Sequence, residues 1–151
     1  MIVVGADTPA GESILAQARP TEREVRVFVT DEPKAQHLKS LGYKVATGDV
    51  SDESHVEGAA LRCFSAVLIV EAATDDRERS FADTPENVLR GWARAVANAG
   101  VRRVIWVTGE EIPETEVPEV ATVRPDDPDL PTRVITLDNA SSLNDERYST
   151  S

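Results

Sequence analysis

A short apolar run, Met1-Ile2-Val3-Val4, leads into Gly5-Ala6-Asp7-Thr8-Pro9-Ala10-Gly11 and then into a segment with Ile14, Leu15 and Ala18 on one side. Apolar run, glycine-bracketed turn and helical spacing, in that order, predict a strand, a tight turn and a helix that opens at the turn. This first βα unit constrains the whole chain, because everything downstream reads as an addition to it.

The alternation repeats. Val25, Val27 and Val29 interleave with Arg26 and Phe28 as a second strand. Pro33 suits the first turn of a helix behind Asp31 and Glu32, with Ala35, Leu38 and Leu41 on its buried side and Gly42 closing it. Residues 43–47 read as a third strand, and Ser51 or Asp52 caps a helix carrying Val56, Ala59, Ala60 and Cys63. Residues 66–70 are continuously apolar, which suits a parallel strand buried on both faces. A polar loop, 73–83, follows. Thr84 as N-cap and Pro85 at N1 open a helix with Val88, Leu89, Trp92, Ala95, Val96 and Ala99 at helical spacing, and Gly100 ends it. Residues 101–108 form the fifth strand. Five strand–helix alternations with short connections predict an α/β fold: a doubly wound parallel sheet of five or six strands, helices on both faces.

The pattern changes at Gly109. Residues 109–151 hold five of the nine prolines and show no helical periodicity. Val134-Ile135-Thr136-Leu137 reads as a sixth strand, Ala121-Thr122-Val123 as another short one, and the Ser-rich end from Asn139 onward as loose. The division is therefore a domain over 1–108 and an acidic, Pro-rich extension over 109–151. Of the 27 acids and 16 bases behind the net charge of -11, the extension holds 11 acids and only 3 bases. That balance argues against nucleic acid and anionic membrane, both of which require phosphate to be neutralised by Lys or Arg. The lone cysteine, Cys63, excludes an internal disulfide and reads as a small buried hydrophobe. The chain opens on a strand rather than a signal peptide, and no apolar run reaches membrane length, so a cytoplasmic location is expected.

Four ordered motifs in this frame resemble the atypical short-chain dehydrogenase/reductase superfamily, in particular its NmrA-like NAD(P)-binding Rossmann branch. The turn 5–11 stands where that family has Gly-Ala-Thr-Gly-x-x-Gly. Residues 25–31 stand where it has a second strand ending in Arg. Gly48-Asp49-Val50-Ser51-Asp52 matches its Gly-Asp-hydrophobic-x-Asp, and Ala99-Gly100-Val101-Arg102-Arg103-Val104 its approach to the fifth strand. The resemblance covers roughly residues 1–108 and implies cofactor contacts at Gly5, Asp7, Thr8, Gly11, Thr30, Asp31, Asp49 and Val50.

The departures bear on function. Such turns bind pyrophosphate because glycine lets the backbone approach and amides point at the oxygens. Here Thr8 replaces the middle glycine, Pro9 has no N–H, and Asp7 adds a carboxylate. The turn reads equally as a helix start, with Thr8 as N-cap and Pro9 at N1. Thr30 stands where NADP-binding relatives place Arg, and Asp31 is acidic, so NAD is favoured over NADP. The family's Tyr-x-x-x-Lys pair is absent: neither Tyr43 nor Tyr148 has Lys four residues on, and the only lysines are Lys34, Lys39 and Lys44. Thr108 stands in place of the family's catalytic Ser. No catalytic residue and no metal site is assigned; His37 and His55 fall on different helices without further ligands. Glu71, Asp75, Asp76, Glu110 and Glu111 make the carboxyl ends of the fourth and fifth strands acidic.

The leading expectation is a small NAD(P)-binding-type protein of regulatory, sensing or subunit role without redox chemistry of its own. One alternative is an NAD(P)-dependent reductase of atypical type. The other is a structural partner protein, such as a homodimer, whose interface is the helix around Trp92.

Overall fold

The computed structural model describes residues 1–143; Tyr148 and most of the Ser-rich end lie outside the described residues. The element order is β1 (Ile2–Val4), α1 (Pro9–Gln17), β2 (Arg26–Val29), α2 (Glu32–Ser40), β3 (Lys44–Thr47) and α3 (Glu53–Ala60). Then come β4 (Ser65–Ile69), α4 (Glu71–Thr74), α5 (Pro85–Asn98), β5 (Arg103–Val107), β6 (Glu119–Val123) and α6 (Leu130–Asn139). All six strands are parallel, in the order β3-β2-β1-β4-β5-β6. The chain winds outward from β1 to β3, crosses back to β4, and winds outward again. The reversal falls between β1 and β4, and in such sheets ligands bind there, beyond the carboxyl ends of the strands.

Period-two alternation sends the strand side chains to two separate cores. Ile2, Val4, Phe28, Leu68 and Trp106 face α3 and α5 and pack with Val56, Val88, Trp92 and Val96. Val3, Val27, Val67 and Ile105 face the other layer, with Ile14, Leu15, Val134 and Leu137 of α1 and α6. Every residue of β1, β4 and β5 is buried, as expected of parallel strands covered on both faces.

The helix starts follow local chemistry. Thr8, Asp31, Asp52 and Thr84 each accept a backbone N–H three residues on, and proline stands in the first turn of α1, α2 and α5. Gly42 and Gly100 close α2 and α5 at φ of +100° and +83°. Cys63 is buried, and burial pushes its thiol up from the ordinary value.

One reading of the sequence is corrected. The sixth strand is Glu119–Val123, whereas Val134–Leu137 lies within helix α6. A four-residue run of three β-branched residues and a leucine is ambiguous by itself. Leu130, Val134 and Leu137, at helical spacing across Pro131, bury one face of α6 beside α1, and that packing decides its state. Trp92 is fully buried within the domain, and its Nε1–H donates to the Val50 carbonyl at 2.7 Å.

Candidate dinucleotide site

Gly5 sits at the end of β1 with φ +85°, and a Cβ there would lie 2.9 Å from that of Ala72. Gly11 has ordinary backbone angles but no room: its Cβ would stand 2.5 Å from the Gly5 carbonyl oxygen. Between them Thr8 is buried. Its hydroxyl donates to the Gly5 carbonyl at 2.6 Å and accepts the Gly11 N–H at 3.0 Å. Thr8 thus caps α1, and its side chain folds inward.

Asp7 joins the end of β1 to the end of β2 and to the loop after α4. Its Oδ2 accepts the backbone N–H groups of Thr30 (2.8 Å) and Asp31 (3.1 Å) at the end of β2. Its Oδ1 accepts Nη1 of Arg77, from the loop after α4, at 2.8 Å. The same Nη1 reaches Thr30 Oγ1 at 3.3 Å, while Nε and Nη2 hold Asp75 at 2.8 and 2.7 Å. Arg79 adds a further bond to Asp75, at 3.3 Å. The side chains of Asp7 and Arg77 are only 3% and 12% exposed, so this pair is shielded from solvent. Asp31 Oδ1 accepts the Lys34 N–H as the cap of α2, and Lys34 Nζ pairs with Glu12 at 2.9 Å.

Asp49, at the end of β3, accepts Ser51 N–H at 2.8 Å and Ser80 N–H at 2.7 Å, and Ser51 Oγ accepts Phe81 N–H at 2.9 Å. Val50 is fully buried. The loop 75–83 is thereby stapled across the carboxyl ends of β1, β2 and β3. The expected acidity is corrected at one position: Asp75 is matched by Arg77 and Arg79. These arginines were missed because Asp-Asp-Arg-Glu-Arg carries no periodicity; the only signal was cations set among acids after β4.

Burial raises the Asp7 carboxyl, but hydrogen bonds from Arg77, Thr30 and Asp31 outweigh it and hold the group below the ordinary range. Asp75 and Asp49 are likewise raised by burial and lowered further by Arg77 and by Ser51 with Ser80, respectively. Carboxyls depressed below an unfolded value of about 3.9 stabilise the fold fully above it and lose that contribution as pH falls through the folded values. Urea midpoints are expected to fall steeply below about pH 4, with a shallower fall in Asp7→Asn. An unchanged slope in that variant would remove Asp7 from the account.

Beyond β4 and β5 lies a cleft of about 620 Å³ lined by Val70, Leu89, Ile112 and Pro113, with Arg90, Glu110 and Glu111 among its polar groups. Thr108 is buried at the end of β5, and its hydroxyl accepts the Glu110 N–H at 3.0 Å. Tyr43 lies apart, its hydroxyl donating to the Leu15 carbonyl at 2.8 Å.

A parallel sheet of this strand order, with a glycine-bracketed turn at its switch point, defines a Rossmann-like dinucleotide-binding domain. The profile of the NAD(P)H-binding family matches residues 5–129, and the chain belongs to that family. Among curated protein sequences none matches. Solved structures share the fold. The anaerobillin reductase ChuY of Escherichia coli O157:H7 is 24% identical, with a TM-score of 0.55 over 71% of this chain and 49% of that one. The triphenylmethane reductase of Citrobacter sp., solved with NADP(H), is 19% identical, with a TM-score of 0.56 over 70% and 36%. The NADPH-dependent quinone oxidoreductase QOR2 of Escherichia coli, solved with NADPH, is 23% identical, with a TM-score of 0.54 over 72% and 36%. This chain therefore spans half or less of the length of these relatives. Among the described residues, no helix is long and apolar enough to cross a membrane.

Proposed function

We propose that this chain binds an NAD(P) dinucleotide across the carboxyl ends of β1, β2 and β4, in a regulatory, sensing or subunit role rather than as a hydride-transfer catalyst. One observation carries the reading. The tight turn at Gly5 and the close helix–strand packing at Gly11 are kept, and Thr8, in place of the glycine that a pyrophosphate approaches, turns its side chain inward, while the end of β5 offers Thr108, whose hydroxyl already holds an amide. The three lysines lie on α2 and β3, and Tyr43 is committed to a backbone carbonyl. No Tyr–Lys proton relay therefore faces the cleft among the described residues. Gly5, Gly11 and Thr8 shape the pyrophosphate turn; Thr30 and Asp31 flank the adenosine ribose; Asp49 and Val50 border the adenine. The acid at the end of β2 supports NAD over NADP. A sensing role needs a receiver, either a protein partner or a second copy of the chain.

A second reading, an NAD(P)-dependent reductase of atypical type, draws support from the cleft beyond β4 and β5 and from the reductases that share the fold. Calorimetric titration with NAD, NADH, NADP and NADPH tests both. Micromolar binding of NAD(H) without oxidation of NADH by quinone or dye acceptors is expected. Turnover with such an acceptor would establish the second reading. Absence of binding by all four at millimolar concentration would overturn both and return the search to protein partners.

A further inference from the structure

Three donors converge on the Asp7 carboxylate: the consecutive amides of Thr30 and Asp31, at 2.8 and 3.1 Å, and Arg77 Nη1 at 2.8 Å. Two successive backbone N–H groups and a guanidinium form a cup built for an oxyanion. The cup lies at the end of β2, beside the place where this type of fold sets the adenosine ribose. There an acid receives a 2′-hydroxyl and an Arg accommodates a 2′-phosphate.

We propose that Asp7 is the residue that selects against 2′-phosphorylated dinucleotides, because its carboxylate already fills the anion cup that a 2′-phosphate would enter. The inference rests on the dinucleotide reading above and adds to it the atom that discriminates. The sequence reading put selectivity on Thr30 and Asp31; Asp31 is exposed and caps α2 through Oδ1, whereas the Asp7 carboxylate sits inside the cup itself. The charges around the cup agree. Asp7 and Asp75 balance Arg77 and Arg79, and Lys34 is matched by Glu12. Neutralising Asp7 leaves two amides and Arg77 Nη1 without their shared anion. The family pattern has Thr at this position, so Asp7→Thr restores a residue that the frame accommodates.

A merely structural staple would behave differently, since its loss weakens NAD and NADP alike. The test is calorimetric titration of wild type, Asp7→Thr and Asp7→Thr/Arg77→Gln with NAD, NADP, 2′,5′-ADP and inorganic phosphate, with circular dichroism reporting the fold. Wild type is expected to bind NAD at least ten-fold more tightly than NADP. Asp7→Thr is expected to gain at least ten-fold for NADP and 2′,5′-ADP, and the added Arg77→Gln to abolish the gain. Equal affinities in wild type, or a folded Asp7→Thr without the gain, would overturn the proposal and leave the dinucleotide reading standing. Should Asp7→Thr fail to fold, Asp7→Asn removes the charge at constant shape, and the wild-type ratio decides independently. If Asp7→Thr binds 2′,5′-ADP or phosphate while neither protein binds a dinucleotide, the cup stands and the dinucleotide reading falls. If no probe binds either protein, both fall.

Discussion

Arg103→Ala is expected to destabilise the protein by about 3–5 kcal/mol, the cost of breaking a buried ion pair from one side. For a domain of this size that corresponds to a fall of roughly 10 °C in the melting temperature. The Arg103 side chain is fully buried in β5. Its Nε and Nη2 hold Glu119 of β6 at 3.1 and 2.8 Å. Its Nη1 donates to the carbonyls of Leu137, Asp138 and Ala140, at 2.8, 3.1 and 2.6 Å, and so satisfies the end of α6. The guanidinium also lies 4.9 Å from the centroid of the Phe64 ring. Truncation takes the counter-charge from Glu119, which keeps the Leu143 N–H, and takes the Arg103 donor from the Leu137, Asp138 and Ala140 carbonyls. The apolar pair Arg103→Met/Glu119→Leu is expected to recover part of the loss, because it removes both charges. Denaturant unfolding of the single and double variants checks this, and a single variant within about 1 kcal/mol of wild type would refute it. Arg103 opens β5 at the end opposite the crevice, so folded Arg103→Ala should keep whatever dinucleotide affinity the wild type has.

Gly11→Ala is expected to cost about 3 kcal/mol and at least ten-fold in dinucleotide affinity, at the upper end of what overpacking costs. The new methyl would stand 2.5 Å from the Gly5 carbonyl oxygen and 2.6 Å from Ala6 Cα. Both are backbone atoms of the turn and cannot rotate away, so α1 must move off β1. That shift also takes the Gly11 N–H from the Thr8 cap. Gly58 of α3 provides the control: a Cβ there meets nothing within 4 Å. Gly58→Ala is expected to stabilise by up to about 1 kcal/mol through helix propensity alone. Thermal melts of the pair separate steric conflict from propensity, and equal melting temperatures would remove the close-packing account of the turn.

The features legible in the sequence were those decided within a few residues. The caps at Thr8, Asp52 and Thr84, the first-turn prolines 9, 33 and 85, and the positive-φ glycines 42 and 100 are chemistry of single turns. The apolar runs of β1, β4 and β5 announce strands buried on both faces, and their alternation with helices sets the doubly wound order. Of the candidate site, the positions at the strand ends were legible, because a parallel sheet brings every carboxyl end to one side.

Partnership across the chain was not legible. Arg102 and Arg103 are neighbours of one type, yet one is exposed and the other fully buried, and only strand register separates them. The α6 segment carries strand-like residues and becomes a helix because α1 offers a surface for Leu130, Val134 and Leu137. Asp7 and Arg77 stand 70 residues apart, and nothing local to either specifies the other. By itself the sequence determined the five strands up to residue 108, the helices α1, α2, α3 and α5 between them, their parallel arrangement and the glycine turn, because backbone conformation and apolar periodicity act over short range. Only the tertiary structure decided which charges meet and which face of α6 is buried, because those choices are made by burial, where a charge must find a counter-charge wherever the fold brings one.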